Sequence, residues 1–270
     1  NPNSQLPRQR FWTIRAKHII LASGALERHV AFNNNDIPGV MTVNASRHYL
    51  NRYGVLTGNN IVITTNNDSV YQTAMELQEA GSKVTILDSR KNVNLDLPKE
   101  IDLHLNTLPF SINGRKKIEG LDVCKATDKN NKNTIICDQV LISGGWSPIV
   151  NLVSHRGIKP IWNQQNLCFI PGDIKENITV VGSAKGIWNK NDCVESGLEG
   201  ANEAMNTLGI HKKEISFPSI GGWSNPIDTL FEVKSNKFPS KSFVDFQHDV
   251  TAEDVRLAHR EGFISVEHLK

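Results

Sequence analysis

Several patterns that would assign a function at once are missing from these 270 residues. No apolar run approaches the roughly 18 residues that a membrane-spanning helix needs. The opening segment, NPNSQLPRQR, is polar, so we expect no signal peptide there. Lysine and arginine total 30 against 28 acidic residues, and this near-neutral balance gives no electrostatic basis for nucleic-acid binding. We therefore expect neither a membrane nor a nucleic acid as partner.

Cysteine and histidine are few and dispersed. The four cysteines, Cys124, Cys137, Cys168 and Cys193, form no C-x-x-C motif, and we interpret them as reduced thiols of a cytoplasmic protein. The nine histidines form neither an H-x-x-x-H nor an H-E-x-x-H pair. No Ser/His/Asp or Cys/His arrangement stands out. The sequence predicts no metal site and no catalytic residue.

The stretch Gly58–Asp88 has the layout of a dinucleotide-binding unit but lacks its glycines. A β-branched apolar run predicts a buried parallel strand, and the turn TTNNDS leads into a helix that Asn67 or Asp68 would cap. A second strand ends in Asp88, an acid that would bind the ribose of NAD. The positions of the G-x-G-x-x-G motif hold Thr65, Asn67 and Val70. Thr65 could still form the turn, but the Cβ of Asn67 obstructs a pyrophosphate, and Val70 crowds the contact between helix and strand. On spacing alone, nucleotide binding and a purely structural βαβ unit remain equally open.

Three other strand ends carry small residues. The strand-like run His18–Ala22 leads into Ser23-Gly24-Ala25, Gln139–Ser143 into Gly144-Gly145, and Ile178–Val181 into Gly182-Ser183. Small residues at such points let the backbone approach a ligand or a neighbouring strand. No βαβ unit precedes the first of these strands to complete a sheet, so we expect part of its domain to lie before Asn1.

The remaining pattern predicts further elements. Residues 11–15 are strand-like, and residues 45–53 favour a helix that Asn44 would cap. Two strand-like runs at 101–112 and 118–125 indicate an antiparallel excursion with a turn at 128–133. Residues 191–208 favour a helix in which Gly197 and Gly200 indicate close packing. Residues 211–240 lack periodicity and suggest a linker or arm. Thr251 would cap a last helix over 252–260, with Asp254 completing a capping box.

Longer segments carry a family resemblance. ILASGA, TTNNDS and ITVVGSAKG occur in the order of the corresponding elements of two-dinucleotide-fold flavoproteins. ASGALERHVAFNNNDIPGVM, RYGVLTGNNIVITTNNDS, LISGGWSP and FVDFQHDVTAEDVRLAHREGFISVEHLK resemble the alpha subunits of heterotetrameric sarcosine oxidases. The resemblance extends over nearly the whole chain, and the TNNDS turn and the FVDFQ-DVT segment are its most specific parts.

The resemblance implies an α/β fold with two Rossmann-like dinucleotide-binding domains and a small C-terminal helical segment. The second domain would be inserted into an incomplete first one. On this basis residues 1–44 and 151–210 form the first domain, and residues 45–150 form the insertion. Residues 211–240 form the linker or arm, and residues 241–270 begin the small helical domain.

The resemblance also implies a function. The family forms complexes with beta, gamma and delta subunits that oxidatively demethylate sarcosine to glycine, produce hydrogen peroxide and pass the one-carbon unit to tetrahydrofolate. The alpha subunit carries NAD, whereas FAD and FMN belong to the complex and would not be held by this fragment alone. An alpha subunit of a related opine, proline or dimethylglycine oxidoreductase, or a scaffold that binds no nucleotide, remains an alternative.

Site residues follow where this sequence matches the family. Ser183 replaces the acid that would bind a flavin ribityl chain, which is compatible with NAD in the first domain. In the tail, Asp245 and Gln247 occupy cysteine positions of a related [2Fe-2S] domain, and their oxygens cannot replace thiolates, so we predict the fold without the cluster. The predicted cofactor-binding residues are Ser23, Gly24, Ala25, Thr65, Asn66, Asn67, Asp68, Asp88, Gly144, Gly145, Gly182 and Ser183.

Overall fold

The computed structural model describes residues 9–174, 177–210, 217–218, 226–234 and 241–265. Its strands are β1 Ile19–Leu21, β2 Ala25–Glu27, β3 Val40–Thr42, β4 Asn60–Thr65, β5 Lys83–Asp88, β6 Asp102–Leu105, β7 Thr107–Gly114, β8 Ile118–Lys125, β9 Asp128–Ile135, β10 Gln139–Ser143, β11 Trp146–Pro148, β12 Ile161–Asn163, β13 Cys168–Ile170, β14 Ile178–Val180, β15 Phe243–Asp245 and β16 Val250–Thr251. Its α-helices are α1 Val43–Tyr53, α2 Tyr71–Glu79, α3 Asn151–Ser154, α4 Lys190–Thr207 and α5 Ala252–Arg260. Two short 3₁₀ segments cover Asp68–Val70 and Gly182–Lys185.

A five-stranded parallel sheet in the order β3-β10-β4-β5-β6 forms the centre of the inserted domain. Strand β4 pairs with β5 from Asn60 opposite Lys83 to Thr65 opposite Asp88. The sheet separates two apolar clusters, one that includes α2 and one that includes β7 and β8. Burial on both faces requires apolar residues without alternation, which is the pattern of Ile61–Ile63. The βαβ unit predicted over Gly58–Asp88 is therefore confirmed.

The antiparallel excursion is a three-stranded sheet in the order β7-β8-β9. The turn predicted at residues 128–133 is wrong, because these residues belong to β9. Seven of the eight residues of β9 are exposed, so the strand lacks the apolar alternation that would have predicted it. Its Lys132 ammonium lies 3.6 Å from the centre of the Phe110 ring, a cation–π contact on the sheet.

The first domain contributes the parallel pair β1–β14, against which α4 packs. The strand predicted at residues 11–15 is wrong: no strand forms there, and Phe11 is 97% exposed. The antiparallel pair β2–β11 joins the two domains where the chain enters and leaves the insertion. Strand β3 belongs to the inserted sheet, whereas the sequence prediction placed residues 1–44 in the first domain. A strand of three residues is too short to leave a periodic signal.

The helix predicted at residues 45–53 begins two residues earlier, with Thr42 instead of Asn44 as its N-cap. The helix predicted at residues 191–208 is confirmed as α4. The capping box of α5 is also confirmed, because Thr251 and Asp254 exchange hydrogen bonds. Most of residues 211–240, predicted as a linker or arm, and residues 266–270 lie outside the described residues. Within the described ranges, no helix is long and apolar enough to cross a membrane.

The close packing predicted for α4 can be tested at its two glycines, where substitution by alanine should change the stability of the protein in opposite directions. A Cβ on Gly200 would lie 2.6 Å from Cγ1 of Val181, whereas a Cβ on Gly197 meets nothing within 4 Å. We expect Gly200→Ala to lower the free energy of unfolding by about 1–3 kcal/mol through overpacking. Gly197→Ala is the control and should raise it by up to about 1 kcal/mol through helix propensity. Urea denaturation measures both, and equal effects would contradict the assignment.

Candidate nucleotide sites

The first candidate site lies where β1 and β14 end side by side. Their parallel register places Leu21 opposite Val180, so the segments that follow, Ser23–Ala25 and Gly182–Ser183, are neighbours. Gly24 has a φ of +79°, and a Cβ on it would lie 3.9 Å from the Ser183 hydroxyl oxygen. The fold thus brings together predicted residues that lie about 160 positions apart in the sequence. A glycine in the left-handed region with open space beside it permits a close approach to the backbone.

A cavity of about 250 Å³ adjoins this point. Its walls come from both domains: Ser69 belongs to the insertion, and Trp146 to the connecting pair. The Trp146 indole nitrogen donates a hydrogen bond to the Ser69 hydroxyl at 3.1 Å, which fixes the indole at the junction. The lining residues are Ala25, Ser69, Trp146, Ser183, Ile187, Trp188 and Cys193. A mostly apolar cavity with two indoles and a few hydroxyls suits a flat ring.

Five of these lining residues were not predicted from the sequence: Ser69, Trp146, Ile187, Trp188 and Cys193. Ile187, Trp188 and Cys193 follow the Gly182-Ser183 turn within eleven residues. The signal that could have identified them in the sequence is an aromatic residue, Trp188, close to a strand end that carries small residues. Burial raises the pKa of the Cys193 thiol above its usual range, so the thiol is neutral and lines the cavity as an apolar group.

The second candidate site begins with the turn after β4. The Thr65 hydroxyl accepts a hydrogen bond from the N–H of Asn67 at 3.1 Å and donates one to the carbonyl of the same residue at 2.9 Å. The Asn67 side chain accepts from the N–H of Ser69 at 3.0 Å, which confirms its predicted capping role. The turn is therefore closed by side chains at the positions where a dinucleotide-binding turn carries glycines.

The acid at the end of β5 is engaged by the chain itself. Asp88 is fully buried, and its Oδ2 accepts from the Tyr71 hydroxyl at 2.7 Å and pairs with Arg90 Nη2 at 2.7 Å. Arg90 Nη1 lies 2.6 Å from Oδ1 of Asp68. Burial, together with the Asp88 charge, raises the pKa of Tyr71, which keeps its hydroxyl a donor. These contacts occupy the carboxylate that the sequence predicted for the ribose of NAD.

Residues 226–233, which we call the strap, cross this site. The Asn66 amide donates to the carbonyl of Asp228 at 2.6 Å, and the N–H of Asp228 donates to the carbonyl of Asn66 at 3.0 Å. A Cβ on Gly145 would lie 2.5 Å from Cδ1 of Ile227, and a Cβ on Gly144 would lie 2.9 Å from the carbonyl of His29. The structure thus directs Asn66 and both glycines toward the protein's own chain.

A wide cleft of about 890 Å³ lies beside the domain junction, on residues that the sequence analysis did not select. Glu27 stands in it and accepts a hydrogen bond from the N–H of Asn44 at 2.7 Å, in the first turn of α1. The walls include His48, Tyr49 and Tyr53. Burial raises the pKa of Glu27 to about 7, although hydrogen bonds from the Asn44 backbone and from hydroxyls act against the shift.

The Arg90 cluster yields a prediction of stability. Arg90→Met leaves two buried carboxylates without their cation, so we expect the free energy of unfolding to fall by about 3–5 kcal/mol. Arg115→Met, at an exposed position, is the matched control and should change it by less than about 0.5 kcal/mol. Urea denaturation measures both variants, and similar midpoints would show that the cluster does not stabilise the fold.

The Glu27 carboxyl predicts a pH dependence. Its pKa is about 7 in the folded protein against 4.5 ordinarily, so between these values the folded state keeps a proton that the unfolded chain releases. The free energy of unfolding should therefore fall as the pH rises from 4.5 to 7. Glu27→Gln should remove this slope, whereas Glu119→Gln, at an exposed position, should retain it. Denaturation across this pH range is the measurement, and a slope retained in Glu27→Gln would refute the assignment.

Comparisons with known proteins agree on one family. Residues 239–270 match the sarcosine oxidase A3 domain family. The alpha subunit of sarcosine oxidase from Rhizobium meliloti (strain 1021) is 36% identical over 271 residues, a match that covers 98% of this chain and 27% of that protein. The corresponding alpha subunit from Corynebacterium sp. (strain U-96) is 31% identical over 289 residues, covering 100% and 29% respectively. The chain thus spans between a quarter and a third of the length of these relatives.

Two further proteins match this chain at lower sequence identity. One subunit of the opine oxidase of Rhizobium meliloti is 26% identical, with 73% of this chain and 43% of that protein covered. Among solved structures, L-proline dehydrogenase from P. horikoshii is similar with a TM-score of 0.62 at 19% identity, covering 94% of this chain and 48% of that one. This structural likeness supports the α/β fold. Over nearly its whole length, the chain is homologous to sarcosine oxidase alpha subunits.

Proposed function

We propose that the chain is the nucleotide-binding portion of a sarcosine oxidase alpha subunit, with NAD held in its first domain. The proposal rests on one observation: Ser23–Ala25 and Gly182–Ser183 are neighbours in space, beside a cavity that residues of both domains line. The Gly24 backbone permits a close approach by the nucleotide, and the cavity offers apolar walls to a ring. Ser183 presents a hydroxyl where a flavin site would need an acid, which favours NAD over FAD.

The proposed activity belongs to the whole complex. There, sarcosine is oxidatively demethylated to glycine with formation of hydrogen peroxide, and the one-carbon unit passes to tetrahydrofolate. The beta, gamma and delta subunits are the proposed partners, with FAD and FMN held outside this chain. In this scheme the chain binds and orients a nucleotide and carries no catalytic residue, so the fragment alone is inactive. The four unpaired cysteines agree with a cytoplasmic location.

Two alternatives have specific support. The similarity to an opine oxidase permits another secondary amine as the substrate of the complex. The closed second site permits a scaffold role, in which neither domain holds a nucleotide. Steady-state oxidation of sarcosine and of opines by the complete complex distinguishes the first alternative from the proposal. Measurement of nucleotide binding distinguishes the second.

Isothermal titration of NAD into the full-length alpha subunit tests the binding site. We expect the wild type to bind and Gly24→Val to weaken the affinity by roughly tenfold or more, because its side chain enters the space beside Ser183. Gly54→Val is the matched control: Gly54 also has a positive φ, +64°, but it caps α1, and a Cβ added to it would meet nothing within 4 Å. The affinity of this variant for NAD should equal that of the wild type.

The outcomes of this titration separate the hypotheses. No binding to the wild type, once bound nucleotide has been removed, would favour the scaffold. Binding that Gly24→Val leaves unchanged would place the nucleotide elsewhere. An equal loss of affinity in Gly24→Val and Gly54→Val would assign the effect to backbone strain instead of the site.

A further inference from the structure

We propose that the crevice at the carboxyl end of the inserted sheet is a peptide-binding site and that the strap, residues 226–233 of the same chain, is its ligand in place of a dinucleotide. The strap would hold this crevice closed during the reaction cycle. It would also anchor the C-terminal segment to the inserted domain. This inference does not depend on NAD in the first domain.

The position of the strap is the first argument. The chain passes from β4 to β5 and β6 on one side of the sheet and returns to β10 on the other, so the strand order reverses between β4 and β10. Ligands of open α/β sheets bind at this reversal, outside the carboxyl ends of the strands. The strap lies there, because Asp228 bonds to Asn66 after β4, and Ile227 lies against Gly145 after β10.

The polar contacts of the strap resemble those by which a protein binds the backbone of a peptide. Asn66 is 1% exposed, and its backbone and side chain together satisfy both the N–H and the carbonyl of Asp228. Arg90 Nη1 donates to the carbonyl of Pro226 at 3.0 Å. The strap is therefore recognised mainly through its backbone, as in the addition of an extended peptide to a folded domain.

Apolar anchors complete the site. Leu230 and Val233 are 7% and 0% exposed and belong to the core cluster beneath the sheet. Between them the backbone pairs with Ala31, whose N–H donates to the carbonyl of Phe231 at 2.9 Å and whose carbonyl accepts from the N–H of Val233 at 2.8 Å. Two buried side chains and a backbone pair give the strap a defined register.

The strap also contacts the tail. The Glu232 carboxylate pairs with the Arg256 guanidinium of α5. Arg28, in the segment after β2, lies with its guanidinium carbon 5.2 Å from the centre of the Phe231 ring. Release of the strap would remove both contacts and loosen α5, whose sequence forms part of the A3 match.

A dinucleotide and the strap exclude each other in this crevice. The Asn66 amide and the Arg90 guanidinium are the polar groups that a pyrophosphate or ribose would meet, and both already bond to strap carbonyls. A bound dinucleotide would have to displace the strap and expose the buried Leu230 and Val233 side chains to water, which is unfavourable.

Hydrogen exchange of the full-length alpha subunit, followed by mass spectrometry, tests the proposal. We expect peptides covering the strap to exchange slowly, and to exchange at the same rate after addition of NADH or NADPH. Asn66→Ala should accelerate exchange in the strap and in α5 by roughly tenfold or more, since it removes a buried hydrogen bond. Asn59→Ala, at an exposed position just before β4, is the matched control and should leave the strap protected.

Two results would overturn the proposal. Faster exchange of the strap on addition of NADH or NADPH would show that a dinucleotide displaces it. Exchange of the strap in Asn66→Ala at the wild-type rate would show that the crevice does not hold it. Protection of peptides from β4 and β5 reports whether the variant is folded. If Asn66→Ala does not fold, Leu230→Ala permits the same measurement from the strap side, with the same two criteria.

Discussion

The guanidinium of Arg90 joins the end of β5, the start of the first 3₁₀ segment and the strap. It pairs with Asp88 at the end of β5 and with Asp68 at the start of the helical segment, and it donates to the carbonyl of Pro226 in the strap. Two buried carboxylates beside one another would be unstable without such a cation. Burial raises the pKa of Asp68, and the hydrogen bond and charge of Arg90 act against that rise. Arg90 therefore links the buried carboxylates of the second domain to the strap.

The two candidate sites differ in how their polar groups are used. In the second, Thr65, Asn66 and Asp88 are at most 1% exposed and bond to other residues of the chain. In the first, Gly24 and Ser183 lie beside a cavity whose walls carry both apolar groups and hydroxyls. A ligand site needs convergent polar groups that remain accessible. This contrast is the physical reason for placing the proposed nucleotide in the first domain although only the second has the spacing of the sequence motif.

Local signals predicted the parts of the fold that local physics determines. The βαβ unit at Gly58–Asp88 was predictable because strands buried on both faces need apolar runs, and the Asn67 cap and the α5 capping box because short-range hydrogen bonds select their residues. Strand β9 was not predictable, since its polar residues face solvent. The strap was not predictable either: the Asn66–Asp228 bond joins residues 162 positions apart, and no periodicity marks either one.

The turn after β4 makes contacts with the strap that a pyrophosphate-binding turn would not make. A turn that approaches a pyrophosphate must expose its N–H groups without side chains, which is the purpose of glycine there. A turn that receives a peptide instead gains from an amide side chain, because the amide N–H₂ group adds a donor beside the acceptor of the backbone carbonyl. Asn66 does this for Asp228, using its amide and its backbone carbonyl. Where glycine is retained, at Gly145, it gives room to Ile227 of the strap. Asn66 at the end of one strand and Gly145 at the end of the next thus contact neighbouring residues of the strap, Asp228 and Ile227.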